Sequence, residues 1–320
     1  MSTFGFMWIA ERYRETLENA GLTNFEDVMN TQAGRCLRVL PDRENWYLDG
    51  MYLKKHRGRT WATRIVAAFG AACPPSPGRV EAENALALQS LGIDVMPLMA
   101  YGERLRAAGR LESFLLTEEL EGYCELQEFI QRRFPPRNTP SPRSSPKVVG
   151  WDQRASGERR PTVIENDAEG AVSRRSLRDL VPPYGSPSSL LPAPCSLPAL
   201  QRLIVQVADI ARRFHAAGYN HRDFYCCHFL VKETSPGQCD VRLIDLQRVQ
   251  RRRWFRRRWI VKDLAQLASM SPDDRVGRRE KILFLRTYLG VRKLRPQDKR
   301  LVRDVLWKLS LIRRRARHKS

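Results

Sequence analysis

The spacing of hydrophobic positions changes several times along this chain. Residues 8–20 carry apolar side chains at helical spacing and close on Gly21, which predicts a short peripheral helix. From Arg35 the period falls to two. Cys36 to Leu40 alternates, Pro41 to Asn45 is a turn, and Trp46 to Leu48 is a second strand. Asp49-Gly50 is a hairpin signal before a third strand, Met51 to His56, on which Lys54 faces away from Leu53 and Lys55. Without a partner, either lysine is a solvated strand end. Residues 60–72 predict a helix that the proline-rich run Cys73 to Gly78 breaks, and a second follows from about Val80 to Leu91. Glu81, Ala85, Leu88 and Gly92 share one face of it, so Glu81 sits on the inward stripe and Glu83 off it. Such a carboxylate either favours the helix N-terminus or reaches a buried lysine, for which Lys54 is the candidate.

Val95 to Tyr101 and Ser113 to Thr117 add two strands, completing a five-stranded lobe crossed by a helix, and Leu126 to Arg133 turns helical. Between about 134 and 198 the pattern lapses. That span holds twelve of the chain's 20 prolines and few aromatics, too little apolar surface to offset ordering, and reads as a disordered insertion. Helical spacing returns from Leu200 to Ala217 and Gly218 ends it. Phe229 to Val231 and Val241 to Leu246 are strands around the turn Ser235-Pro236-Gly237, and helices follow near 261–269, 279–289 and 297–312. The expected organisation is an α+β chain of two lobes. A helical extension covers 1–30, a small antiparallel-sheet lobe 31–120, and a mainly helical lobe with the insertion 121–320.

Composition narrows the function. A length of 320 residues gives ample core. No run of about 18 apolar residues is present, and charges throughout Met1 to Ala20 leave no signal-peptide core, so the expected location is cytoplasmic. The 7 cysteines are scattered without a C-x-x-C pair, as in a reducing compartment. Cys226-Cys227-His228 suggests a metal, but adjacent residues rarely converge on one zinc and no second ligand pair stands at finger spacing. The net charge of +21 implies a polyanionic partner. Much of it is concentrated at 251–258 and 313–319, which favours a contact surface over general solubility.

The candidate chemistry lies between the helix ending at Ala217 and the strand at Val241: Asn220-His221-Arg222-Asp223, then His228, then Ile244-Asp245-Leu246. His221-Arg222-Asp223 followed by Asp245 resembles the catalytic loop and metal-binding strand of the protein-kinase-like fold. The tripeptide alone is weak; the ordered set of strand Lys54, helix Glu81, loop Asp223 and strand Asp245 is stronger. Longer strings resemble one branch, the bacterial lipopolysaccharide kinase family, which phosphorylates heptose or Kdo sugars of the inner core. These are Tyr52 to Gly58, Gly92 to Met96, Phe114 to Leu120, Asn220 to Leu230, Leu243 to Arg248 and Arg258 to Leu264, and the similarity covers roughly 30–130 and 198–290.

The resemblance implies a two-lobed kinase that uses ATP and Mg²⁺. In it Lys54 would hold the nucleotide phosphates and pair with Glu81, and backbone groups from Glu118 to Leu120 would meet the adenine. Asp223 would be the catalytic base and Asp245 would bind the metal. Phosphoryl transfer needs charge neutralisation and in-line positioning rather than a covalent nucleophile, which explains these residue types. His221, Arg222 and Asp263 read as supports of the loop, and His215 as structural. Three features depart from protein kinases: Gln32-Ala33-Gly34 replaces a glycine-rich phosphate loop, Asp-Leu-Gln replaces Asp-Phe-Gly, and His228 stands where a metal-binding asparagine is usual. Imidazole is a poor partner for Mg²⁺, so His228 binds the metal, orients the loop or contacts phosphate.

The implied acceptor is a lipopolysaccharide core glycolipid at an anionic membrane surface. Arg256, Arg257 and Arg258, with Trp254, Phe255 and Trp259, would steer the enzyme to it. The alternatives are a protein kinase, which lacks an Ala-Pro-Glu element here, and a non-catalytic kinase-like scaffold binding polyanions. Nucleic acid is the weaker partner, since the four-residue set is intact.

Overall fold

The computed structural model describes residues 6–59, 75–106, 109–137, 197–254 and 256–317. The helix expected over 60–72, most of the 134–198 insertion, Phe255 and the last three residues lie outside them.

The amino-terminal lobe is a six-stranded antiparallel sheet in the order β1-β5-β6-β4-β3-β2. Its strands are β1 (Phe6–Ile9), β2 (Arg35–Leu40), β3 (Arg43–Leu48), β4 (Met51–Arg59), β5 (Leu98–Arg106) and β6 (Arg110–Glu118). Asp49 and Gly50 both take positive φ, 33° and 77°, so the hairpin signal between β3 and β4 is realised as a tight turn.

The beginning of the chain differs from its spacing. Residues 8–20 do not form one peripheral helix: β1 pairs with β5 from Phe6↔Glu103 to Ile9↔Ala100, adding a sixth strand. The helices α1 (Arg14–Asn19) and α2 (Phe25–Asn30) then fold over one face of the sheet. Tyr13, Leu17, Phe25 and Val28 are buried there with Leu53, Phe114 and Leu116. The apolar side chains of this stretch belong to an inner core, and a four-residue edge strand is too short to declare its period.

The other face carries α3 (Pro77–Gln89), which starts on Ser76, whose hydroxyl accepts the Arg79 N–H at 3.2 Å. Ala82, Ala85 and Leu88 of α3 join the larger core of the second lobe, so this helix packs against both. The lobes are stitched by backbone as well: Leu243 N–H donates to Asp94 at 3.0 Å and its carbonyl accepts Met96 N–H at 3.2 Å.

The second lobe begins with β7 (Cys124–Glu125) and α4 (Leu126–Arg133), and continues with α5 (Ala199–Ala216), β8 (Tyr219–Asn220), β9 (Phe229–Ser235), β10 (Gln238–Leu243) and β11 (Gln250–Arg251). Three helices close it: α6 (Arg256–Met270), α7 (Arg278–Leu289) and α8 (Pro296–Arg317). The strands form two small sheets, β10-β9-β7 and β11-β8, over a helical core. An α+β chain with a sheet lobe and a mainly helical lobe is therefore what folds. Among the described residues no helix is long and apolar enough to cross a membrane.

Candidate active site

The site lies where α3, β4, the end of β10 and the loop after β8 converge. On β4 the alternation holds: Leu53 and Lys55 point into the covered face and Lys54 out of the other. Lys55 is not a solvated strand end. It is buried, its Nζ donates to the Thr31 carbonyl at 2.5 Å and sits 4.9 Å from the Trp46 ring, and burial pushes its pKa down. Lys54 meets Glu81 Oε1 at 2.7 Å, with the glutamate fully buried on the inward stripe of α3. One turn further on, Asn84 Nδ2 donates to the carbonyls of Leu246 and Val249 at 3.0 and 3.1 Å. The helix carrying Glu81 is thus tied to the segment that follows Asp245.

The loop after β8 is held by one carboxylate. Asp263, buried on α6, accepts the backbone N–H groups of His221 and Arg222 at 2.8 and 3.0 Å. His215 lies 3.4 Å from the same carboxylate and 2.9 Å from Tyr288, inside the core. Arg222 is held at φ 72°, a left-handed conformation that is strained for a side chain of its size. The Asp263 acceptor on its N–H and the Lys262 ammonium on its carbonyl fix it there. His221 stacks on His228, and burial foremost, then the neighbouring His228, lowers its pKa to about 4. It is therefore neutral, and its Nε2 donates to the Ile244 carbonyl at 3.2 Å.

Asp223 and Asp245 face the cleft from opposite sides of His228. Asp245 is not on a strand, as its apolar flanks suggested. β10 ends at Leu243, and Asp245 takes φ 57°, ψ 61°, a left-handed turn that aspartate tolerates better than most residues. The turn brings its carboxylate 3.7 Å from Lys54 Nζ and 3.7 Å from His228 Nε2. His228 Nδ1 contacts the Asp223 carbonyl at 2.5 Å. A carbonyl only accepts, so the proton is on Nδ1, and Nε2 offers either a lone pair or, in the imidazolium, a second N–H toward Asp245. The Asp223 carboxylate is in turn paired with Arg248 Nη1 at 2.5 Å.

At the junction of the lobes, Glu118 N–H donates to Pro97 and Glu119 N–H to Gly50. Both donors are committed within the sheet lobe and its junction. The side chains are also engaged: Tyr13 donates to Glu118 at 2.6 Å and Tyr47 to Glu119 at 2.8 Å. Leu120 is half-buried beside them, its carbonyl accepting Tyr123 N–H at 3.3 Å. Near the β2 end of the cleft, Gly34 takes φ 85°, and a Cβ there would lie 2.1 Å from the Tyr47 carbonyl, so this glycine closes the β2–β3 pair against β3.

The three arginines at the start of α6 differ in their surroundings. Arg256 is half-buried with its guanidinium on the His215 carbonyl, and Arg257 pairs with Asp304 at 2.5 Å. Arg256 thus ties α6 to the end of α5, and Arg257 ties it to α8 through a partly exposed ion pair. Arg258 is exposed. Trp254 is 77% exposed, whereas Trp259 is half-buried under a layer of cations rather than open to lipid. Cys226 is buried, its thiol facing the Leu267 carbonyl and pushed up to about 12 by burial, which makes it a packing residue.

Three residues of this site were present in the quoted strings without a role. Arg248 and Lys262 reach the loop from positions whose sequence shows only a basic side chain. Gln247, which accepts from Arg43 at 3.0 Å, links β3 to the turn after Asp245. Only the three-dimensional approach of the turn after Asp245, α6 and β3 reveals them.

A Mg²⁺–nucleotide fits these donors. Mg²⁺ takes oxygen ligands, commonly one or two carboxylates with the substrate's phosphates. Asp245 is 40% exposed toward the cleft and faces the lysine that would carry those phosphates. Among the described residues no group of three or more His, Cys, Asp and Glu converges on one point, so no all-protein cage is formed.

The two lobes, the Lys54–Glu81 pair and the braced Asp223 loop define a kinase-like phosphotransferase with an alcohol group as acceptor. Residues 26–144 and 196–288 match the lipopolysaccharide kinase (Kdo/WaaP) family. The chain belongs to that family. It is 30% identical over 304 residues to the lipopolysaccharide core heptose(I) kinase WaaP of Pseudomonas aeruginosa, covering 92% of this chain and 90% of the relative. It is 26% identical over 310 residues to WaaP of Escherichia coli, with 94% and 95% covered. A solved structure, WaaP in complex with acyl carrier protein, superposes with a TM-score of 0.58 at 26% identity, covering 98% of both chains.

Proposed function

We propose that this protein transfers the γ-phosphoryl group of ATP to a sugar hydroxyl of the lipopolysaccharide inner core, with a heptose the favoured acceptor over Kdo. The observation that carries the reading is the Lys54–Glu81 pair at 2.7 Å facing Asp245 at 3.7 Å, beside a loop carboxylate held in place by Asp263. Mg²⁺–ATP would supply the phosphoryl group, and Asp245 would hold the Mg²⁺ that offsets the phosphate charge. Lys54, fixed by a fully buried glutamate, would hold the α- and β-phosphates without reorganising. Asp223 would accept the hydroxyl proton of the acceptor and Arg248 would orient its carboxylate. His228, with Nδ1 anchored on the Asp223 carbonyl, would set the distance between the two aspartates. The carbonyl of Glu118 and the backbone at Leu120 would receive the adenine.

The same reading places the enzyme at the cytoplasmic face of the membrane, peripherally. Exposed Trp254, Leu306 and Trp307, at 77%, 56% and 65%, with Arg258 and the basic end of α8, suit a surface of anionic lipid. We also infer an acyl carrier protein as a partner, since a solved relative was obtained with one. An apolar cavity of about 290 Å³ among α4, α5, α6, α7 and α8, lined by Leu126, Ile130, Leu203, Leu264, Phe284 and Val305, has the chemistry to take an acyl chain.

The test is incubation of the full chain with Mg²⁺–ATP and a panel of core glycolipids, with mass spectrometry locating the phosphate. Phosphate on a core heptose supports the reading; nucleotide turnover with phosphate on protein alone, or no transfer to any core sugar, contradicts it.

A further inference from the structure

Four cations surround one indole beside the catalytic loop. Arg222, Arg252 and Arg258 place their guanidinium carbons 5.3, 4.4 and 5.5 Å from the Trp259 ring centre, and Lys262 places its Nζ at 5.8 Å. The face of an indole attracts a cation only modestly. That accounts for one or two of them. Like charges gathered around one ring repel one another, so four are not balanced by it.

Carboxylates do not balance them either. Among the described residues none of the four makes an ion pair. The two acids within reach are already committed: Asp223 to Arg248, and Asp263 to the backbone of His221 and Arg222 with His215 beside it. What the cations do contact is neutral, with Arg252 on the Gln250 amide oxygen and Lys262 on the Arg222 carbonyl. In addition, the Nε atoms of Arg222 and of Arg252 are buried without a hydrogen-bond partner. Buried unpaired guanidinium nitrogens are costly, and a charged acceptor would relieve them.

Position decides which anion. Lys54, Glu81 and Asp245 bear on the loop from the sheet lobe and the end of β10. Arg222 stands on the loop itself, and Arg258 and Lys262 of α6 and Arg252 just after β11 bear on it from the other side. Arg222 precedes Asp223 directly, about 3.8 Å away along the chain by Cα. An anion held here lies next to the hydroxyl that Asp223 would deprotonate, away from the nucleotide phosphates.

We propose that Arg222, Arg252, Arg258 and Lys262, arranged around Trp259, form an anion subsite that grips a carboxylate or phosphate group carried by the acceptor glycan beside the hydroxyl to be phosphorylated. This rests on the sugar-kinase reading above and adds the acceptor's charge to it. The guanidinium fork suits either group bidentately, and the subsite makes the enzyme selective for an acidic glycan over a neutral one.

The experiment compares four acceptors: the core oligosaccharide intact, with its carboxylates methyl-esterified, with its phosphates removed, and with both changes. Each is assayed with the wild type and with Arg252→Gln/Arg258→Gln, which leaves Arg222 on the loop and Lys262 on α6 in place. For the wild type, kcat/KM is expected to fall about tenfold or more when the recognised anion is removed, and the arm in which it falls identifies carboxylate or phosphate. In the double variant that preference collapses toward one, through KM for the acceptor and not for ATP. Equal use of all four acceptors by the wild type overturns the proposal without any variant. A rise confined to KM for ATP overturns it as well, by assigning the cations to the nucleotide. If no core acceptor is phosphorylated, the sugar-kinase reading fails, and calorimetric binding of the intact oligosaccharide decides the subsite separately. Binding weakened tenfold by the double variant supports it; equal binding overturns it.

Discussion

Asp263 and His221 are joined by a buried hydrogen bond of 2.8 Å, from the loop's backbone N–H to a carboxylate 42 positions later in the chain. The same carboxylate holds Arg222 in its left-handed conformation, so the geometry of Asp223 is inherited from α6. Replacing Asp263 by alanine leaves one buried and one part-buried N–H group without their acceptor, a loss of about 2–5 kcal/mol. Tm is expected to fall by several degrees, with kcat falling alongside it. A variant with wild-type Tm and kcat in calorimetry and transfer assays would show that α6 does not brace the loop.

Lys54 and Glu81 separate stability from activity. Lys54→Met strands a fully buried carboxylate, costing about 3–5 kcal/mol, and removes the cation proposed to hold the phosphates. Lys54→Met/Glu81→Gln removes the stranded charge as well. Urea unfolding should show the double variant to be more stable than the single one, while both lose transfer by about a hundredfold or more. A double variant no more stable than Lys54→Met would mean that the pair carries little of the lobe's energetics.

Arg248 grips the Asp223 carboxylate at 2.5 Å, so it positions that group without touching the nucleotide side of the cleft. Arg248→Ala is expected to lower kcat about tenfold with KM for ATP unchanged, and Arg248→Lys to restore part of it, since a charge-assisted contact is worth about 1.5–3 kcal/mol. Loss of ATP affinity in Arg248→Ala, measured by fluorescence titration, would place the arginine on the phosphates instead.

Acid should weaken the fold through buried imidazoles. His56 and His221 are both depressed to about 4, chiefly by burial, from an ordinary value of 6.5. The unfolded chain therefore binds more protons than the folded one between these values. Their stabilisation is complete above pH 6.5 and is lost as pH falls toward 4, by about 3 kcal/mol for each group. Urea midpoints measured from pH 7 to 4 should fall for the wild type and fall less steeply for His56→Leu. A midpoint independent of pH over that range would contradict the neutral burial of both rings.

Much of this arrangement was legible in the sequence, and the limits were physical. Period-two alternation on β4 and the stripe of α3 put Lys54 and Glu81 on facing surfaces before any coordinate. The hairpin at Asp49-Gly50 and the helix ending before Gly218 followed from their turn chemistry. The alternation did not reach β1, whose four residues are too few to show a period, nor the left-handed turn at Asp245, because apolar flanks look the same on a strand and just past its end. Arg256 and Arg257 read as surface cations from charge alone, yet their partners, the His215 carbonyl and Asp304, arrive from helices that only tertiary packing brings close. Arg248 and the ring of cations around Trp259 were unreadable for the same reason.

The central claim is that Asp223 accepts the proton of a core sugar hydroxyl while Lys54 and Asp245 serve the phosphates. Single-turnover transfer from labelled ATP to the core glycolipid, compared between wild type and Asp223→Asn, tests it most directly. The account predicts a loss of about a hundredfold or more in the chemical step for the variant, with ATP affinity and Tm near the wild type. Transfer at the wild-type rate by Asp223→Asn would contradict it.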